Sequence, residues 1–474
     1  MADFDGDGSL DIMYADVFGG VHYIGDDGEE YQFFSHPVQQ NINRSTAMGI
    51  LVSGGTQALA FSSRTGHLYA VDLNGESVFD YDSGSPFLFT PVIADITGDG
   101  QNEVIAGALN GKLYVVKADG SDAPGFPLQL PGTFQSELAV GDIDGDGSPE
   151  IVCGMSGGLL FVVNAQGSII PGFSHALDSA LTGSAVILNN GNFAIASQTK
   201  LYLFDTEGDQ VFNLGIDSPV AGGLTIADID RNGSLDIVFV SVSGKLWVVT
   251  QGGYSLYGFP VDTGMNFSCP PLVADIDGDE HYEIVLHSYI NSIFAYEHTG
   301  EMVDGFPFGT TYNGATPGTL VDFDENGYFK LVTGFSNGIL MSNLRRLVSD
   351  LTPWTTYRGS LGRSGSFVAT AFVANDDALQ VPTALRLGQN YPNPFNPHTT
   401  ITFALGKDAA TSLSIFNTRG QKVRTLVNAP LTMGSHSITW DGRDESGRAL
   451  ASGLYFYRLS SDGQAQTKKM LLMK

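Results

Sequence analysis

The chain has 474 residues, a length that favours two domains over one, and its 42% hydrophobic content is enough for a core in each. It contains no run of 18 apolar residues, so no transmembrane segment is expected. The net charge of −28 is unevenly held: residues 1–382 carry 12 Lys/Arg against 46 Asp/Glu, residues 383–474 carry 11 against 5. The first part would therefore repel nucleic acid and anionic membranes, while its acids suit divalent cations or plain solubility.

Met1-Ala2 leads straight into an acidic loop, with neither a charged nor an apolar leader segment, and residues preceding Met1 are expected to be missing. That loop is the first of six related stretches, which begin at Asp3 (DFDGDGSLDIM), Asp95 (DITGDGQNEVI), Asp142 (DIDGDGSPEIV), Asp228 (DIDRNGSLDIV), Asp275 (DIDGDEHYEIV) and Asp322 (DFDENGYFKLV). Three neighbouring starts lie 47 residues apart, and the two wide gaps of 92 and 86 residues each admit one degenerate unit, around Met48 and around Ala185. The chain thus has eight slots.

Each unit reads alike. An apolar strand such as Pro91–Ala94 enters the acidic loop and a second strand, Glu103–Ala106, leaves it. A Gly-bearing turn at 107–111 leads to a third strand, Lys112–Lys117, then to a turn at Ala118-Asp-Gly. A Gly-Phe-Pro corner follows in three units, at 125–127, 258–260 and 305–307. Period-2 strands of 4–6 residues without helical periodicity predict an antiparallel meander per unit. Several four-stranded units of 40–50 residues predict a propeller of seven or eight blades, because only ring closure covers both faces of every sheet.

Within the loops the acids recur at positions 1, 3, 5 and 9, and glycines at positions 4 and 6 supply left-handed backbone for a tight turn. Alternate carboxylates on such a turn converge, and an all-oxygen cage of this charge suits calcium. An EF-hand is excluded by the flanking strands and by the acid at position 9 rather than 12. At these residues the chain resembles the FG-GAP or VCBS repeats of integrin-α-like propellers, whose hairpin loops bind calcium. Carried over by position, the resemblance implies as ligands Asp3, Asp5, Asp7 and Asp11; Asp95, Thr97, Asp99 and Glu103; Asp142, Asp144, Asp146 and Glu150; and Asp228, Asp230, Asn232 and Asp236. Asp275, Asp277, Asp279 and Glu283 keep every acid, but Glu280 stands where the second glycine belongs, which puts the turn in question. In the loop of Asp322, Asp324 and Asn326 the closing residue is Lys330, whose ammonium opposes a cation, and that site is expected to be empty.

No catalytic constellation emerges. Gly154–Gly158 and Gly334–Gly338 match G-x-S-x-G, but they occupy strand-to-strand turns and lack the helix that a nucleophile elbow requires. The nine histidines have no zinc spacing, and Cys153 and Cys269 are read as buried thiols. Aromatic turn residues Trp247, Tyr254, Tyr257, Phe259 and Phe306 either pack between blades or form a face for a glycan or protein. Residues 353–365 break the repeat and resemble the closing segment of such propellers, and 367–382 read as linker.

From Thr383 a second β domain is predicted, with strands at 399–405, 411–417, 421–426, 435–440, 453–460 and 464–473 alternating as in a two-layer sandwich. The motifs LGQNYPNPFNP (387–397), WDGRD (440–444) and ASGLYFY (451–457), with the terminal KMLLMK, resemble the C-terminal sorting domain of type IX secretion, similar in fold to the FlgD immunoglobulin-like domain. The resemblance implies export to the surface or medium of a Gram-negative bacterium by the type IX machinery. The expected molecule is an all-β, secreted or surface calcium-binding propeller (1–366) followed by an Ig-like sorting domain (383–474). It is read as a non-catalytic scaffold for an extracellular protein or glycan. A carbohydrate-active enzyme with its site at the propeller axis is the alternative.

Overall fold

Apolar alternation that buries both faces of a strand requires a neighbour on each side, and the chain supplies it by repetition. The computed structural model describes residues 10–473 apart from 16–19, 25–29, 36–45, 53–55, 73–75, 289–291, 311–315, 324–326, 336–337, 348–353, 360–362, 367–385, 388–394, 396, 406–408, 432–433 and 462. It divides into two compact units, Met1–Asn375 and Asp376–Lys474.

The first unit contains eight antiparallel sheets among the described residues, each a meander in sequence order. Blade 1 spans 12–35, blade 2 spans 47–82, blade 3 spans 92–129 and blade 4 spans 139–176. Blade 5 spans 186–215, blade 6 spans 225–262, blade 7 spans 272–309 and blade 8 spans 319–347. Blades 2 and 5, at the two degenerate units, keep four strands without an acidic loop. The fold therefore does not depend on the metal motif.

Period 2 assigns alternate residues to opposite neighbours. In the second strand of blade 3, Val104 and Ala106 pack toward blade 2 while Ile105 packs toward blade 4. Shared cores continue from blade 4 to 5, through 5, 6 and 7, and from 7 to 8. Ile12 of blade 1 is buried with Phe323 and Val332 of blade 8, so the succession returns to its start. The succession makes a propeller with eight blades among the described residues. Burying one such aliphatic side chain contributes about 1.5–3 kcal/mol.

Residues 354–359 and 363–366 bond to strands of several blades. The first strands of neighbouring blades lie side by side, and this segment bonds to them. Trp354 exchanges backbone hydrogen bonds with Val273 of blade 7, and the Leu320 N–H of blade 8 donates to the Thr355 carbonyl. The Val140 N–H of blade 4 donates to Ser364, and that of Ile187 in blade 5 donates to Gly365. Arg363 Nε donates to the Thr46 carbonyl at the entry to blade 2.

The second unit pairs the three-stranded sheet 386–387, 399–405 and 434–440 with the four-stranded sheet 422–431, 409–417, 453–461 and 464–472, in those orders. Its core gathers Phe395, Ile401, Phe403, Leu413, Ile415, Tyr457 and Met470 around Trp440. The Trp440 indole donates to the Arg443 carbonyl at 2.9 Å, which satisfies its polar tip. All six strands expected from the alternation are present, and a short strand at 386–387 is additional. The linker expected at 367–382 lies outside the described residues.

Candidate metal centres on one rim

Blades 2 to 7 begin with an inner strand and meander outward, whereas the first described strand of blade 1 follows its acidic loop. The loops between first and second strands therefore emerge at the same rim, and in blades 3, 4, 6 and 7 these are acidic loops. Their shape follows from the sequence. The position-1 carboxylate accepts the N–H groups of positions 4 and 6: Asp142 from Gly145 at 2.7 Å and Gly147 at 3.1 Å, Asp95 from Gly98 at 2.7 Å and Gly100 at 2.8 Å. The position-5 side chain accepts from position 7, as Asp99 from Gln101, Asp146 from Ser148, Asn232 from Ser234 and Asp279 from His281. These bonds wind the loop about its own first acid.

Position 9 closes the turn from the start of the second strand. Glu103, Glu150, Asp236 and Glu283 are all buried, and each accepts the N–H of position 2, from Ile96, Ile143, Ile229 and Ile276 at 2.7–3.1 Å. Burial pushes Glu103 above its ordinary range, Glu150 and Asp236 up to about 7, and Glu283 up to about 9. The accepted N–H bonds oppose that rise in each case, and neighbouring acids add to it.

Four loops bring carboxylate oxygens within 4.8 Å of one another: Asp95, Asp99 and Glu103; Asp142, Asp144 and Asp146; Asp228, Asp230 and Asp236; and Asp275, Asp277 and Asp279. Each of these clusters could hold a metal ion. Thr97 joins the first through its hydroxyl, which donates to Glu103 at 3.2 Å. The donors are all oxygen, and in the fourth loop Glu283 Oε1 is buried with no hydrogen-bond partner. A hard cation fits both observations. Of the first loop, Asp3, Asp5 and Asp7 lie outside the described residues, and Asp11 is buried.

The doubtful turn is intact. Glu280 adopts φ 72°, the conformation glycine has in the sister loops, and its N–H reaches Asp275 at 3.2 Å. Arg231, at position 4 of the blade-6 loop, likewise takes φ 56° where Gly98, Gly145 and Gly278 stand elsewhere. Lys330 is 8% exposed at the position that carries an acid in the other loops, while Asp324 and Asn326 lie outside the described residues.

Both thiols are buried and free, and burial raises them, Cys269 to about 11. Ser156 lies in the tight turn between the second and third strands of blade 4, and the Gly334 match spans the turn of a hairpin that pairs Phe335 with Gly338. Of the aromatic turn residues, Phe259 is buried, Phe306 packs against the core, and Trp247 stacks on Phe239 and donates to Asp217. Tyr254 and Tyr257 alone among the five stand clear, 75% and 93% exposed.

Sequence reasoning missed one buried ionic group. Glu137 accepts hydroxyl hydrogen bonds from Thr90 at 3.0 Å and Ser184 at 2.9 Å, residues that repeat at 47-residue steps through three blades. Arg358 faces it at 3.9 Å, and its remaining nitrogens donate to the carbonyls of Ala185 and Leu138. The 47-residue spacing was the available signal for Thr90, Glu137 and Ser184. Nothing in the sequence marked Arg358.

Residues 95–153 match the model of the FG-GAP-like repeat. That stretch holds the whole acidic loop of blade 3 and the following one up to Cys153. Residues 393–464 match the FlgD Ig-like domain. No curated protein matches the sequence. Among solved structures, BamB from Moraxella catarrhalis is 15% identical with a TM-score of 0.50, covering 69% of this chain and 89% of its own. The Dos1 propeller is 10% identical with a TM-score of 0.50, covering 71% and 87%. At these identities the likeness shows the propeller fold alone.

Proposed function

We propose that the chain is a secreted or cell-surface calcium-binding propeller that serves as a non-catalytic adhesion or ligand-binding scaffold. Its Ig-like domain would act as the sorting signal for type IX export. One observation carries the metal assignment: four loops on one rim each converge three carboxylates, and the closing acid of each loop is buried. Calcium there would be held by Asp95, Thr97, Asp99 and Glu103 and by their counterparts in blades 4, 6 and 7. It would tie the first strand of a blade to the second by neutralising acids that otherwise repel.

The non-catalytic reading draws support from the axis, where the enzyme alternative would place its site. Residues 354–355 and 364–365 bond there to the first strands of blades 4, 5, 7 and 8, with Trp354 and Arg358 buried. Thermal unfolding of the full chain with calcium and with a chelator tests the metal. Calcium is expected to raise the midpoint by several degrees, and superimposable curves would rule it out. Export is tested by following a reporter fused to residues 383–474 in a bacterium with type IX secretion. Retention of the reporter in the cell would remove the sorting assignment.

A further inference from the structure

The loops of blades 6 and 7 differ from their sisters in one respect that links them. Left-handed backbone at positions 4 and 6 is supplied by glycine at 98, 100, 145, 147, 233, 278 and 327. Among the described residues the two exceptions are Arg231 at position 4 of blade 6 and Glu280 at position 6 of blade 7. These two residues touch: Arg231 Nη1 donates to the Glu280 carbonyl across the blade boundary. Non-glycine side chains are disfavoured in this region, so each loop accepts a less favourable residue at the point where the bridge forms. The half-buried Tyr282 lies between the loops, within reach of the charges of Arg231, Asp228 and Asp275. The Glu280 N–H also donates to Asp275, so the bridge acts on the residue that orders the first acid of the blade-7 cluster. In that loop the fully buried Glu283 keeps an unpartnered oxygen close to the charges of Asp277 and Asp275, an independent observation that suits a cation.

We infer that Arg231 couples the two cation sites, so that filling the loop of 228–236 orders the loop of 275–283 and the reverse. The coupling rests on the calcium reading of the loops. A cation on Asp228, Asp230 and Asp236 fixes the backbone that carries Arg231. The guanidinium then holds Glu280, and through its N–H Asp275, in the arrangement that binds. Arg231 is thus a positioning residue and ligates nothing itself. Binding linkage is reciprocal, so disabling either loop must weaken the other by the same factor, about fivefold for coupling at the low end of the usual range.

Calcium titration of the full chain by calorimetry tests this in a mutant cycle. D228N/D230N is expected to abolish one site and weaken one other about fivefold, and D275N/D277N to do the same in reverse. In the R231G background, which places at position 4 the residue found in four sister loops, each pair should remove its own site only. The cycle cancels the general gain in affinity from losing a positive charge. E280G keeps the accepting carbonyl and should keep the coupling, and circular dichroism confirms that each variant folds. Equal coupling with and without Arg231, or independent filling in the native chain, overturns the coupling while leaving the calcium sites standing. No calcium binding in the native chain overturns both.

Discussion

A carboxylate at the ninth position of an acidic loop is buried because the second strand starts there, and its neighbours in that strand belong to the inter-blade core. Glu283 shows the cost: it accepts one N–H, from Ile276, and leaves its other oxygen unpaired. A cation is the natural partner for that oxygen. Glu283→Gln should therefore weaken calcium binding at one site at least about tenfold, a loss of about 1.4 kcal/mol, read as one shifted step in a calcium titration. Arg358 presents the opposite case, a buried cation that is fully engaged. Arg358→Ala would remove the guanidinium that faces Glu137 and the donors to two carbonyls, and breaking a buried pair in this way typically costs about 3–5 kcal/mol. Urea unfolding should show that loss, and a change below about 1 kcal/mol would mean the pair is solvated. The ninth-position acids were legible in the sequence because they recur. Arg358 was not, because its partners at 137, 138 and 185 are brought to it only by ring closure.

At the scale of the strand and turn, glycine marks the places where neighbouring blades come closest. Gly244 has φ 91°, and a Cβ there would lie 2.1 Å from the Met265 carbonyl oxygen in the linker to blade 7. Gly244→Ala is expected to destabilise the propeller by about 2 kcal/mol or more, from the conformational cost plus the displaced linker. Gly145→Ala meets nothing within 4 Å, so it should cost only the conformational part, about 1 kcal/mol. Equal midpoint shifts for the two variants would contradict this account. Hairpin elements were readable because strand, turn and strand are local in sequence: the alternation in 412–417 and 454–459 placed the sandwich strands to within a few residues. Blades 2 and 5 were readable from spacing, since their strands survive without the acids. The exact partners of the outer strands were less accessible. In blades 3, 6 and 7 the fourth strand is only two residues long, below what a periodicity can signal.

On the scale of the whole chain, the two units have separate cores, and the acidic loops belong to one of them. Calorimetry of the full chain should resolve two transitions, with calcium raising only that of the propeller. A shift of both together would show that the units unfold as one. The closing segment adds a constraint of a different kind, on order in time. Arg363 bonds to Thr46 across a separation of 317 residues, and Arg358 to Leu138 across 220. A chain delivered from its N-terminus, whether by the ribosome or through a membrane channel, can form its hairpins as they arrive. It cannot finish the ring until residue 366 has emerged. Completion of the propeller is therefore a late event that certifies the presence of every blade, and until then the inner strands offer their unpaired backbone to whatever accompanies the nascent polypeptide.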